Sequence, residues 1–268
     1  MNKKQLFIAA IAAVMSVSCV NATDITGITG NNGIYNINPE KVNGEVGYRK
    51  YNNFDLSAGD IANLIYKSGS SRDIETFINL VNSGVNINGI LNTVRDGNFY
   101  NGRAVFITPG GMTIGASGVL NVGSLAVATP TSGAYKDLAN EYAAGNYTNI
   151  NNISTLLNKA SNVGDITVNG KILAKDGVQL RGGQINVGAE GAIVNGIANQ
   201  SVLSSATQAQ NLFNNLVNTD GIKTASAFER NGSNIQIKSS TGVDIAGKVI
   251  NGAADPSGIT KDQGNSGV

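Results

Sequence analysis

"FITPGGMTIGASGVLNVGSLAVATP", residues 106–130, holds five glycines, short aliphatic runs and no charged side chain. Met112-Thr113-Ile114 alternates apolar and polar, which marks a strand with one buried face. Glycines follow, and glycine is the residue that lets a chain turn through conformations closed to others. Strands are expected at residues 105–107, 112–114 and 120–122, with the glycines as corners.

Working outward, the same phrase recurs. "VNINGIL" (85–91), "MTIGASGVL" (112–120), "ITVNGKIL" (166–173), "INVGAEGAIV" (185–194) and "VDIAGKVI" (243–250) each place an apolar pair, a small turn and a second apolar pair. Ile166 and Ile185 are 19 residues apart, and Ile172 and Ile193 are 21 apart. Ile114 to Ile166 spans 52 residues and Ile185 to Val243 spans 58. Each long gap contains an Ala/Leu/Gln-rich window, residues 135–161 and 202–228. In the second, Leu203, Ala206, Ala209, Gln210, Phe213 and Leu216 keep helical spacing. Removing two insertions, at about residues 133–163 and 197–230, leaves a period near 20 across the chain. Such a period, with about three short strands and Gly/Asn corners, is what a parallel β-helix requires. Ile, Val and Leu would stack in inward columns, and Asn and Ser/Thr at equivalent corners in hydrogen-bonded ladders. A β-sandwich would instead show hairpins every eight to twelve residues or so. The expected fold is all-β: a right-handed parallel β-helix with an N-terminal cap at 23–64 and two helical or loop insertions. The repeating body would end at residue 251, before a polar tail at 252–268.

The first 22 residues read as an export signal. Lys3 and Lys4 precede a stretch at 6–17 that is apolar but too short to span a bilayer. Small residues before Thr23 place cleavage between Ala22 and Thr23. Cys19 would be the lipidated residue of a lipoprotein, but Ser16-Val17-Ser18 lacks the usual leucine. Cleavage leaves 17 basic side chains against 18 acidic ones and no cysteine, so disulfides play no part. Without a basic block, nucleic acid is not an expected partner. The chain has no histidine, which removes the commonest general base and metal ligand.

Residues 101–130, "NGRAVFITPGGMTIGASGVLNVGSLAVATP", resemble the core of the two-partner secretion domain that begins filamentous haemagglutinins and related adhesins, the leukotoxin-type filamentous adhesins above all. "YRKYNNFDLSAGDIANL" (48–64) is similar to an early strand of that family, and "GDITVNGKILAKDGVQLRGGQINVGAEGAIV" (164–194) to its later coils. The resemblance covers residues 34–251. It implies a non-enzymatic secretion address, read by an outer-membrane transporter with periplasmic receptor domains. The chain would cross unfolded, fold outside and nucleate an adhesin at the cell surface, where host or other cells would be the outer partner. It also implies a recognition turn at Thr108, Pro109, Gly110 and Gly111, with Asn101 as a further candidate. The family's turn is Asn-Pro-Asn-Gly, so Pro109 and Gly111 match and both asparagines are replaced. These adhesins usually run much longer, leaving a fragment or a shortened relative as alternatives.

Other motifs carry less. Residues 242–248 have the spacing of a phosphate-binding loop, but Val249 stands where Ser or Thr must hold the metal, so no nucleotide or other cofactor is expected. Gly27, Gly30 and Gly33 do not form the dinucleotide fingerprint. Asn-x-Ser/Thr at Asn146, Asn152, Asn199 and Asn231 reads as loop composition. The competing function is an exported protein that binds or degrades polysaccharide, with Asp165, Lys171, Lys175, Asp176 and Arg181 as its charged group. Tyr48, Tyr51, Phe54 and Tyr100 would be a sugar-binding surface or, more simply, cap packing.

Overall fold

The computed structural model describes residues 22–67, 73–159, 162–216 and 235–251. It is mostly β, with two large sheets of predominantly parallel strands. Residues 1–21 of the expected export signal (1–22) and the expected tail at 252–268 lie outside the described residues.

Three parallel ladders organise the strands. The first joins Val46–Tyr51, Thr76–Val81, Arg103–Ile107, Ser124–Ala128 and the leading halves of Val178–Val187 and Ile235–Ile245. The second joins Phe54–Leu56, Val85–Ile87, Met112–Ile114, Ile166–Val168 and the trailing halves of the same two long strands. The third runs Ile34–Ile37, Ile61–Ile65, Ile90–Arg95, Val119–Val122, Lys171–Ala174, Ala192–Asn195 and Lys248–Asn251. Because Val178–Val187 and Ile235–Ile245 pass from the first ladder into the second, those two form one twelve-stranded sheet; the third belongs to an eight-stranded sheet.

All five repeated phrases place a strand in the second ladder and the next in the third. Ile166 pairs with Ile185, Ile172 with Ile193, and Ile185 with Val243. Met112, rather than Ile114, is the partner of Ile166. The period is uneven. Equivalent residues are 19 to 21 apart between Arg103 and Ser124, Ile166 and Ile185, and Lys171 and Ala192, but 27 to 31 apart earlier, as from Phe54 to Val85. Longer corners absorb the difference. Residues expected in the cap divide: Val46–Tyr51, Phe54–Leu56 and Ile61–Ile65 pair in parallel with the ladders, while Asp24–Ile25 and Lys41–Asn43 pair antiparallel.

Inward columns fill the core. In the second ladder Leu56, Ile87, Ile114, Val168, Val187 and Ile245 stand in register, all buried. Burying a side chain of this size stabilises by about 1.5–3 kcal/mol, so the columns dominate stability. Polar side chains among them are bonded: Asn79 is buried, accepts from the Tyr51 hydroxyl at 2.8 Å and donates to the Val105 carbonyl at 3.1 Å. Tyr48, Tyr51 and Phe54 are buried packing residues, and Tyr100 lies under the Arg95 guanidinium at 3.5 Å.

The helices explain why the first-ladder stretches 104–107 and 125–128 lack charge. After Pro130 come α1 (Ser132–Ala144), α2 (Thr148–Asn151) and α3 (Ile153–Lys159). Thr131 caps α1 by accepting from the Ala134 N–H, and Gly145 ends it at φ 74°. Tyr135, Leu138, Tyr142, Ile150 and Ile153 pack on Tyr48, Ile78, Leu80, Val105, Ile107 and Ala126, on the outer side of the first ladder. Those strands are thus buried on both faces and read as continuous apolar runs. A fourth helix, α4 (Ala206–Leu216), and Leu203 just before it cover the third ladder, with Leu203, Ala209 and Leu216 clustered with Ile90, Val119, Leu173, Val194 and Ile250. Among the described residues the second ladder bears no helix, and it keeps strict alternation, as in Met112-Thr113-Ile114.

Burial also sets a pH limit. Desolvation pushes the Tyr48 hydroxyl up to about 12, against a smaller opposing effect of its hydrogen bond to Asn151. Full burial likewise raises the Tyr51 and Tyr66 hydroxyls well above their ordinary value. A raised phenol contributes stability that is complete below its unfolded value near 10 and is lost as pH rises through the folded value. The fold should therefore hold from neutral pH to about 10 and unfold cooperatively between about 10 and 12. Circular dichroism recorded alongside tyrosinate absorbance checks this; tyrosinate forming well before structure is lost would contradict it.

Candidate recognition site

The turn begins where Arg103–Ile107 leaves the first ladder. Thr108 is buried, its N–H donates to the Ala128 carbonyl at 3.0 Å, and its hydroxyl donates to the Ser83 carbonyl. Pro109 presets the next φ. Gly111 takes φ 84°, and its N–H reaches back to the Thr108 carbonyl at 3.4 Å. Its carbonyl accepts from the Val85 N–H at 3.0 Å, and the Met112 N–H donates to the Asp165 carbonyl at 2.9 Å. The corner is thereby bonded to the chain passages on either side.

These passages touch backbone to backbone. A Cβ on Gly110 would lie 2.6 Å from the Gly84 nitrogen, and one on Gly111 would lie 2.2 Å from the Asp165 carbonyl oxygen. A Cβ on Gly164 would lie 2.6 Å from the Gly111 nitrogen. No larger side chain, asparagine included, has room at Gly110.

Asn101 stands elsewhere. It is exposed at the opposite end of Arg103–Ile107, roughly 20 Å away at strand rise, and its amide donates to the Asp176 carboxylate. Thr108, Pro109, Gly110 and Gly111 form one turn, and Asn101 lies away from it, at the other end of the strand. Thr23 is tied down: its hydroxyl donates to Asp60 and accepts from the Ser57 N–H at 2.8 Å.

The charged group considered for polysaccharide chemistry is dispersed. Asp165 accepts from the Gln184 N–H at 2.9 Å, Lys171 sits over the Phe213 ring on the third ladder, and Asp176 is held by Asn101. Arg181 is buried on the first ladder, bonded to Gln236 at 2.9 Å. Residues 242–248 form a strand, a corner and a strand, with no helix to receive a phosphate. Among the described residues, no three His, Cys, Asp or Glu side chains gather to hold a metal.

What the sequence alone did not show is that α1 settles beside the turn. Pro109 shares a cleft of about 450 Å³ with Lys50, Asn82 and the first turns of α1. Those residues come from four distant segments, and no local pattern marks them. Compared with known protein families, curated proteins and solved structures, the chain shows no significant match.

Proposed function

We propose that the chain is a two-partner secretion domain, wound as a right-handed parallel β-helix, recognised by an outer-membrane transporter and nucleating an adhesin at the cell surface. The observation that carries the reading is the Thr108–Gly111 corner: a Pro-Gly turn at the family's position, interlocked with the passages before and after it. In-register parallel pairing on three ladders supports the winding. A stack of this kind gains stability passage by passage, which suits a chain that folds as it emerges. The loss of Cys19 with the signal leaves nothing to crosslink in transit.

Replacing Pro109 and Gly111 together is expected to abolish release into the medium from cells carrying the cognate transporter, with periplasmic protein still detectable by immunoblot. Pro109→Ala alone, which removes no packing column, separates recognition from folding: release should fall several-fold while the purified protein keeps its melting temperature. Undiminished release of both variants would refute the assignment of the turn.

A further inference from the structure

The cleft beside Pro109 has the makings of a site of its own. Lys50, Lys136, Asn82, Asn140, Tyr135 and Pro109 line it, the two lysines and two asparagines exposed and Tyr135 buried. Ser132, in the first turn of α1, also lines it. That turn contains no acidic residue, so the positive end of a 13-residue helix is uncompensated. Neither lysine ammonium has an ion-pair partner among the described residues. Glu40, whose carboxylate accepts from the Lys50 backbone, is engaged by Arg49 and the Tyr142 hydroxyl.

An independent observation points to a ligand. Tyr135 is only 3% exposed, and its buried hydroxyl has no hydrogen-bond partner. Leaving a buried hydroxyl unpaired costs about 1–3 kcal/mol, and α1 could have carried phenylalanine there at no such cost. A group entering the cleft would satisfy that donor.

We infer that this cleft binds a carboxylated sugar, a uronate unit of an acidic polysaccharide. Two cations and a helix N-terminus match the carboxylate. Two amides, the Ser132 hydroxyl and the Tyr135 hydroxyl match ring hydroxyls at the density a pyranose presents, whereas a Glu or Asp side chain would use the anionic part alone. About 450 Å³ falls in the size range of small-ligand pockets. Segments around residues 50, 82, 109 and 132–140 meet only in the folded chain, so the ligand is one met after folding.

The test is a titration of the purified protein, followed by NMR, with tetragalacturonate, its fully methyl-esterified form and hexaglutamate. Tetragalacturonate is expected to bind saturably, and the ester at least ten-fold more weakly. Lys50→Gln with Lys136→Gln, both exposed and so neutral for folding, should weaken binding about ten-fold. Tyr135→Phe should weaken it about five-fold while leaving the melting temperature unchanged or raised, a combination that a purely structural tyrosine would not give. No saturable binding, equal binding of acid and ester, or hexaglutamate binding as tightly as the uronate would each overturn the assignment. Release from cells is not read in this assay, so it stands or falls apart from the secretion proposal.

Discussion

Gly111→Val is expected to destabilise the fold by about 3–5 kcal/mol. A β-branched residue at φ 84° is strained by about 1–2 kcal/mol, and its Cβ would sit 2.2 Å from the Asp165 carbonyl oxygen. Relief requires the corner to part from residue 165, breaking the Met112-to-Asp165 hydrogen bond and opening the columns beside it. In a chain of this size the melting temperature should fall by roughly 10 °C. Gly59→Ala supplies the control: Gly59 has φ 88° but nothing within 4 Å of its would-be Cβ. It should cost only about 1 kcal/mol. If the two substitutions were equally mild in a thermal melt, the close approach of the passages at this corner would be wrong.

Asn92→Ala should cost about 3–5 kcal/mol, again by thermal or urea unfolding. Asn92 is fully buried on the outer side of the third ladder, where Asn36, Asn63, Asn92 and Asn121 stand in register. Its amide donates to Asn63 at 3.1 Å and to the Leu203 carbonyl at 3.0 Å. Its oxygen accepts from Asn121 at 2.9 Å and from the Leu203 N–H at 3.1 Å. Truncation leaves several buried partners unsatisfied at about 1–3 kcal/mol each, less what water entering the gap restores. Asn36→Ala, at the exposed end of the same row, should cost under about 1 kcal/mol, because water replaces its single partner. Equal effects at the two ends would mean that residues 200–203 do not close over the row.

The second ladder was the legible part of this fold. Its strands are buried on one side only, so Val85-Asn86-Ile87 and Ile166-Thr167-Val168 display the alternation that defines a half-buried strand. The registers of Ile166 with Ile185 and Ile172 with Ile193 followed from spacing alone. The first ladder was harder: Ala104-Val105-Phe106-Ile107 is apolar on both faces because α1 to α3 lie over it, and a continuous run carries no facing signal. Phe54-Asp55-Leu56 and Ile61 form a sixth repeat that spacing did not mark, because 31 and 29 residues separate them from Val85 and Ile90, against 19 to 21 in the tighter later passages. Asparagine stacking was expected at corners and occurs along a strand, where helix-flanking residues 200–203 supply partners that no local pattern could reveal. The turn was visible because Pro and Gly each force backbone geometry. Its neighbours Lys50, Tyr135 and Lys136 were not, since only tertiary folding brings them to Pro109.

Crosslinking tests the stacking of successive passages most directly. Thr113 and Thr167 lie side by side on the open face of the second ladder, 54 residues apart in sequence. Adjacent parallel strands are spaced within disulfide reach. In a Cys19→Ser background, Thr113→Cys with Thr167→Cys should oxidise to an intramolecular disulfide, while Thr113→Cys with Asn186→Cys, two strands apart, should stay reduced. Free thiols in the first pair, or crosslinking in both, would contradict in-register parallel stacking.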